Sequence, residues 1–560
     1  MPIAPKPSTL AARIQEAAGG GGAVTFVTGN DAVRVPFGIL YDEARRMAAA
    51  LQRRGVRPGS HVALLGPTTR PLYTAIEAVW LSGATLVVLP LPMRLGSIEE
   101  FAAQTRAKMA HADIALVVVD DDLAPFIEPR PGDPAMVLFS ELLADVQRLA
   151  IAPSDMEAAP QDPDRLAVLQ FTSGSTADPK GVMLPNRTIC ANLDAIAIAA
   201  ELDVDDDCMV SWLPLYHDMG LVGFAMLPMS TGVDVVIGAP QDFLGAPLRW
   251  LEWLSTFGGT ATAGPNFSWV LATRALRNAS GLDLSRLRIA LNGAEPVDPD
   301  TVDAFVTAAV EHKMRPGAVF PAFGMAEVVI GATFPAPMSG LRVDSLDRRV
   351  LETERYAAPV DRAADTSSGV RRLAKLGRPV PGLEIRIVDP ETGSVRAERE
   401  VGELEIRGSS VTPGYYGRPE LATELFHDGF LRTGDLAYVV DGELVVCGRI
   451  KDVIIVGGRN VFPEDVERAV ATIDGVRAGN VIAFGVPGQG KEGLVVVAET
   501  KSDDPASTRR TVAERVRQTV GLPPKDIVLV EPGTLPKTSS GKLQRGLCRQ
   551  RYLGAELAAV

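Results

Sequence analysis

At 560 residues the chain is too long for a single hydrophobic core, so two or more domains are expected. A hydrophobic content of 46% with 22% charged residues is that of a globular protein, and a net charge of −13 argues against nucleic-acid binding, which relies on lysine and arginine neutralising phosphates. No apolar stretch is long and uncharged enough to span a bilayer, and no basic-then-apolar leader opens the sequence, so a cytoplasmic protein without a transmembrane segment is expected.

The first third alternates helical periodicity with short apolar runs. Tyr41 to Arg54 and Leu72 to Leu81 read as helices; His61 to Leu65, Ala84 to Pro90 and Ile114 to Val119 read as buried strands. The alternation continues through Leu166 to Gln170, Val235 to Ile237, Thr260 to Ala263 and Ile289 to Asn292, which predicts sheets covered by helices on both faces. After about Gly377 the period becomes two, in Leu383 to Val388, Gly402 to Gly408 and Glu443 to Cys447, as suits a twisted antiparallel sheet or small barrel. A last α+β unit is predicted near the C-terminus: strands Val453 to Val456, Asn480 to Phe484, Leu494 to Glu499 and Ile527 to Val530, and helices Pro463 to Thr472 and Ser507 to Val520. Cys190, Cys208, Cys447 and Cys548 lack metal-like spacing and read as reduced thiols.

Chemistry concentrates in the turns. Directly after the strand ending at Gln170 comes Phe171-Thr-Ser-Gly-Ser-Thr-Ala-Asp-Pro-Lys-Gly181, in which Thr172, Ser173, Ser175 and Thr176 offer hydroxyls, Gly174 allows close approach of an anion and Lys180 brings a mobile charge. A Walker P-loop is excluded because the lysine precedes its glycine and Val182 stands where that motif needs a hydroxyl. Taken alone, the segment also reads as an ordinary linker. Ser211-Trp-Leu-Pro-Leu-Tyr-His-Asp-Met-Gly-Leu221, Asn292-Gly-Ala-Glu-Pro296, Phe323-Gly-Met-Ala-Glu327, Leu431-Arg-Thr-Gly-Asp-Leu436, Gly448-Arg-Ile-Lys-Asp452 and Pro536-Lys-Thr-Ser-Ser-Gly-Lys-Leu543 follow in order. Individually each has a plainer reading: His217 and Asp218 as a metal pair lacking further ligands, Glu327 as a helix-start carboxylate, Thr433-Gly434-Asp435 as a turn, Lys542 as a solvent-facing side chain.

Together these segments resemble the adenylate-forming superfamily of acyl-CoA synthetases, luciferases and adenylation domains, and within it the fatty acyl-AMP ligases. The resemblance covers nearly the whole chain and implies an α/β fold: a large N-terminal domain of helix-covered mixed sheets with a small β-barrel-like subdomain, residues 1–448 with the change near 377, a hinge at 449–451, and a small α+β lid at 452–560. It assigns ATP or AMP to Thr172, Ser173, Gly174, Ser175, Thr176 and Lys180, to the adenine turn Gly293, Ala294 and Glu295, to Phe323, Gly324, Met325 and Ala326, and to Asp435 and Arg449. Glu327 would carry Mg2+, His217 would face the acid's carboxylate as neutral or protonated imidazole, and Lys542 would bridge that carboxylate and the α-phosphate; these three form the expected catalytic set. Lys451 falls at the hinge, and Gly223, Met226, Pro265, Asn266 and Phe267 are expected around the acyl chain. Phe323 stands where most relatives have tyrosine, keeping the stacking face and losing a hydroxyl. Ala326 and the wording around His217 resemble fatty acyl-AMP ligases, as does a long polar segment, Met338 to Arg372, which otherwise reads as a tolerated surface loop. The implied reaction joins a fatty acid to AMP and passes the acyl group to the phosphopantetheine of an acyl carrier protein or polyketide synthase. CoA as acceptor is the alternative, and a noncatalytic nucleotide- or lipid-binding homologue the second.

Overall fold

The computed structural model describes residues 6–92, 97–171, 180–360, 369–456, 458–487, 492–538 and 541–560. Two large sheets organise the first half. One runs, in spatial order, Val319–Pro321, Ile289–Asn292, Ala261–Gly264, Cys208–Ser211, Asp234–Gly238, Ala23–Thr28 and Asp31–Pro36; the other runs Ala135–Leu138, Ile114–Val119, His61–Leu65, Thr85–Val88, Leu166–Phe171 and Gly181–Pro185. Pairing is parallel except at one edge of each, where Asp31–Pro36 and Gly181–Pro185 fold back antiparallel. Helices Phe37–Arg53 and Arg70–Leu81 join both sheets in one apolar core. The second of these begins two residues before its periodicity does, because Thr69 caps it by accepting from Leu72 N–H and Pro71 fits its first turn.

Past residue 377 the expected antiparallel sheet is present: Leu383–Val388, Gly402–Gly408 and Phe430–Val440, flanked by Phe426–His427 and Glu443–Arg449. The C-terminal unit has cores of its own under Val476–Val486, Gly493–Thr500 and Asp526–Val530. Its long helix, Pro505–Val520, starts where Asp504 accepts from Ser507 N–H at 2.9 Å and stops at Gly521, whose φ of 70° no helix continues. The four cysteines are free thiols, three of them buried. No helix among the described residues is long and apolar enough to cross a membrane.

Of the two readings of the polar segment after Met338, the surface loop is the one that fails. Between Met338 and Arg372 the described residues do not form a surface loop: strands Val343–Asp347 and Val370–Ala374 pair antiparallel, with helix Arg348–Glu354 following the first. This segment grips the C-terminal unit. Arg371, 2% exposed, donates to Asp465 at 2.9 Å and to the Cys447 carbonyl at 2.8 Å and lies over the Phe462 ring. Arg348 donates to the Thr519 carbonyl at 2.6 Å, Asn460 donates to the Glu352 carbonyl at 3.0 Å, and Arg459 pairs with Glu352. The arginines are spaced irregularly in a polar stretch, so no period marks them as buried.

Candidate active site

The predicted residues converge at the carboxyl ends of the two large sheets, where loops leave parallel strands. Lys180 stands at the start of Gly181–Pro185, with its ammonium 5.2 Å from the centre of the Tyr415 ring. Tyr415 in turn donates its hydroxyl to Glu327 at 2.8 Å. A chain of contacts thus ties the lysine of the hydroxyl-rich loop to the expected metal carboxylate. Thr172, Ser173, Gly174, Ser175 and Thr176 lie outside the described residues.

Glu327 occupies a single 3-10 turn, Ala326–Val328, and is 8% exposed. Burial is the main reason its carboxyl is held above the usual range; the Tyr415 hydrogen bond opposes that shift and the nearby Asp218 charge adds to it. The next residue but one, Val329, has φ of 75° and is fully buried, a costly conformation for a β-branched residue that persists only where its surroundings enforce it. Gly324 has no room for a side chain, since a Cβ would lie 1.7 Å from the Ile330 carbonyl oxygen. Phe323, Met325 and Ala326 complete this tight segment, the first two half-buried.

The adenine turn shows the same strain. Ala294 takes φ of 66°, leaving its methyl exposed beside the buried Gly293. Asn292 donates its side-chain amide to Asn266 at 3.1 Å, while its side-chain oxygen Oδ1 is buried without a partner among the described residues. Glu295 accepts from Phe267 N–H at 3.1 Å, at the start of helix Asn266–Leu276. Pro265, Asn266 and Phe267 therefore stand next to the expected nucleotide turn.

Asp435 and Arg449 face one another across adjacent strands, and the guanidinium reaches the carboxylate at 3.1 Å. Asp435 is 4% exposed, and burial pushes its carboxyl up to about 6 even though Arg449 works against the shift. A buried acceptor-only group at the open end of a sheet suits a diol ligand. Lys451 is exposed in the turn Ile450–Asp452 that follows.

His217 opens the short helix Asp218–Leu221. Burial first, then the charges of Lys542 and Lys108, lower its imidazole to about 3, so it is neutral at pH 7, which decides between the two protonation states left open above. Lys108, on helix Ile98–His111, belongs to no motif; its position beside His217 comes from the fold alone. Tyr415 has no role assigned from the sequence, and only its contact with Glu327 supplies one. Past His217 the chain makes a π-helical turn, Val222–Met226, a geometry frequent at functional sites. A Cβ on Gly223 would meet nothing within 4 Å although the residues around it are buried, so this glycine leaves open space; Met226 is fully buried.

Among the described residues no group of three or more His, Cys, Asp or Glu side chains could hold a metal. A cation at Glu327 would rest on that one carboxylate, water and a ligand's phosphates, which is how magnesium is commonly bound. The residues fit that ion.

A family model described as AMP-binding enzyme matches residues 14–416. The chain belongs to the AMP-binding enzyme family. It is 38% identical over 92% of its length to the ligase Rv1013 of Mycobacterium tuberculosis, covering 94% of that protein. It is 31% identical to the medium-chain-fatty-acid–[acyl-carrier-protein] ligase JamA of Moorena producens, over 92% of this chain and 90% of that one. Among solved structures, one from a study of fatty acyl-adenylate ligases of E. coli and L. pneumophila superimposes with a TM-score of 0.89 at 30% identity, covering 98% of both chains. Relatives in this AMP-binding family carry names that divide over the acceptor, some naming CoA and others AMP or a carrier protein.

Proposed function

We propose that this protein activates a fatty acid with ATP and Mg2+ to an acyl-adenylate and pyrophosphate, then passes the acyl group to the phosphopantetheine thiol of an acyl carrier protein. The observation that carries the reading is a set of contacts among the motifs: Lys180 over the Tyr415 ring, Tyr415 bonded to Glu327, Arg449 paired with Asp435, and Gly541 of the Lys542 loop against Phe267, whose N–H Glu295 holds. In the first step a carboxylate oxygen attacks the α-phosphorus and the bond to the β-phosphate oxygen breaks, releasing pyrophosphate. Two anions must meet for this, and Lys542 places a cation where their charge concentrates. His217, uncharged, orients the carboxylate through its one ring N–H without acting as an acid. Asp435 grips the ribose hydroxyls, and Phe323 offers a ring face to adenine. Magnesium on Glu327, when bound, neutralises charge on the phosphates. In the second step the thiol adds to the acyl carbon, loses its proton, and AMP leaves. The open space at Gly223 suits the start of an apolar tail, whose binding holds the carboxylate in line.

The carrier-protein acceptor is supported by the packing of residues 343–360 and 369–374 on the C-terminal unit, which ties that unit down through the buried Arg371–Asp465 pair. Incubation with labelled ATP, magnesium and a ladder of fatty acids should yield acyl-AMP, and finding none at any chain length would refute the reading. Offering CoA and a holo carrier protein in parallel decides the acceptor; rapid acyl-CoA formation would replace the carrier protein with CoA.

A further inference from the structure

The loop that carries Lys542 holds a second lysine, Lys537, and is built to move as one piece. Lys537 and Leu543 pair as an antiparallel bridge, Gly541 N–H donates to the Thr538 carbonyl at 2.8 Å, Thr538 N–H donates to the Lys542 carbonyl at 2.8 Å, and Lys542 N–H donates to the Thr538 hydroxyl at 3.1 Å. Its base is fastened to the C-terminal unit through Leu535 N–H donating to Glu499 at 3.1 Å and Gln544 N–H donating to the Pro536 carbonyl at 3.0 Å. Whatever fixes one lysine therefore fixes the other.

Across the opening the hairpin meets Phe267: a methyl placed on Gly541 would lie 4.0 Å from that ring. The backbone N–H of Phe267 is held by Glu295 at 3.1 Å, which sets a carboxylate directly beside the arriving hairpin. Lys542 and Lys537 both lower the Glu295 pKa, against the burial that raises it, so both ammonium groups lie within electrostatic reach. Within the C-terminal unit, the acid nearest Lys537 is already answered, since Glu499 pairs with Arg477 at 2.7 Å. Glu295 accepts from the backbone N–H groups of Phe267 and Asn266 at the start of helix Asn266–Leu276, and among the described residues no lysine or arginine stands at ion-pair distance of it. A half-buried carboxylate next to a site for a polyanion is unfavourable unless a cation comes with the ligand. If Lys542 is engaged by carboxylate and α-phosphate, Lys537 is the cation that remains.

We propose that Glu295 is the anchor on the large unit for this hairpin, pairing with Lys537 once nucleotide is bound, so that Lys542 is held at the reacting atoms. Glu295 and Lys537 are positioning residues in this scheme; the inference rests on the adenylation reading of the site. It goes beyond reading adenine through the turn backbone, because it gives the Glu295 side chain a part in holding the hairpin.

The test uses full-length protein, MgATP and the fatty acid that the wild type activates best. Glu295→Gln and Lys537→Met are each expected to lower kcat for acyl-AMP formation about tenfold or more, the scale of a lost charge-assisted contact, with the MgATP KM moved less than about twofold. The double variant should be no slower than the worse single one, and exchanging the charges, Glu295→Lys with Lys537→Glu, should recover part of kcat. Additive losses, no recovery on exchange, or a raised MgATP KM with kcat intact would overturn the anchor. Lys537→Arg, which keeps the charge, should retain kcat, and its loss would count against the pair. Thermal unfolding checks that each variant folds. A wild type that forms no acyl-adenylate would refute the reading of the site instead. The anchor would then be judged by hydrogen exchange of residues 541–543 on adding MgATP alone: protection gained in the wild type and missing in Glu295→Gln supports it, and equal protection refutes it.

Discussion

The two sides of the opening carry their charges differently. On the large unit, Asp435 and Glu327 are buried carboxylates fixed in sheet and turn, each held above its ordinary pKa by that burial. On the C-terminal unit, Lys542 and Lys537 ride a hairpin attached to a separate core. Groups that must be rigid before the ligand arrives are built into the large core at a cost in ligand-free stability; groups that must arrive with closure sit on a unit that can move. The clamp made by Arg348, Glu352 and Arg371 on the C-terminal unit determines how far that unit is free.

The largest effect is expected at the clamp. Arg371→Met leaves buried Asp465 with only the half-exposed Arg468 at 3.3 Å, a loss of about 3 kcal/mol. Denaturant unfolding should then separate the C-terminal unit from the rest, and a single transition at the wild-type midpoint would show that the pair does not hold the units together. Lys542→Ala should leave folding unchanged and slow acyl-AMP formation by about 10² to 10³, the usual cost of removing one contact to developing charge. An unchanged single-turnover rate would remove the lysine from the mechanism.

The fixed side should respond in the opposite sense. Asp435 sits at 3.8 when free and at about 6 in the fold, so the folded protein binds more protons than the unfolded chain between those values and loses stability as pH rises through them. Asp435→Asn is therefore expected to stabilise the ligand-free protein by roughly 2–3 kcal/mol at pH 7, with the gain shrinking below pH 6 and gone near pH 4, while weakening ATP binding. Urea midpoints of the two proteins across that range check it, and a destabilised variant at pH 7 would contradict the contrast drawn here. The smallest effect belongs to Tyr415→Phe. Loss of its hydrogen bond to Glu327 should cost about 1.5 kcal/mol, seen as a roughly tenfold rise in the magnesium concentration for half-maximal activity. An unshifted magnesium dependence would separate Glu327 from the metal.

How much was legible in the sequence follows the range of the forces involved. The strands before the phosphate loop and the adenine turn, the helix Pro505–Val520 and the switch to a period of two near Gly377 are local patterns, and they stand in the structure within a few residues of where periodicity puts them. Contiguous motifs likewise carried Glu327, Asp435, His217 and Lys542, because each needs a particular side chain on a particular turn. For the polar stretch after Met338 the family resemblance pointed past a surface loop, but its buried arginines, paired across units, leave no apolar period that locates them.

By itself, then, the sequence determined the kinds of groups available and the α/β framework that brings strand ends together. Only the tertiary structure decided their states and partners: a neutral His217, Lys108 at its side, Tyr415 bound to Glu327 from 88 residues away, and Arg371 buried against Asp465 from 94 residues away. Desolvation and pairing across such distances depend on which surfaces meet, and no local pattern of residues encodes that.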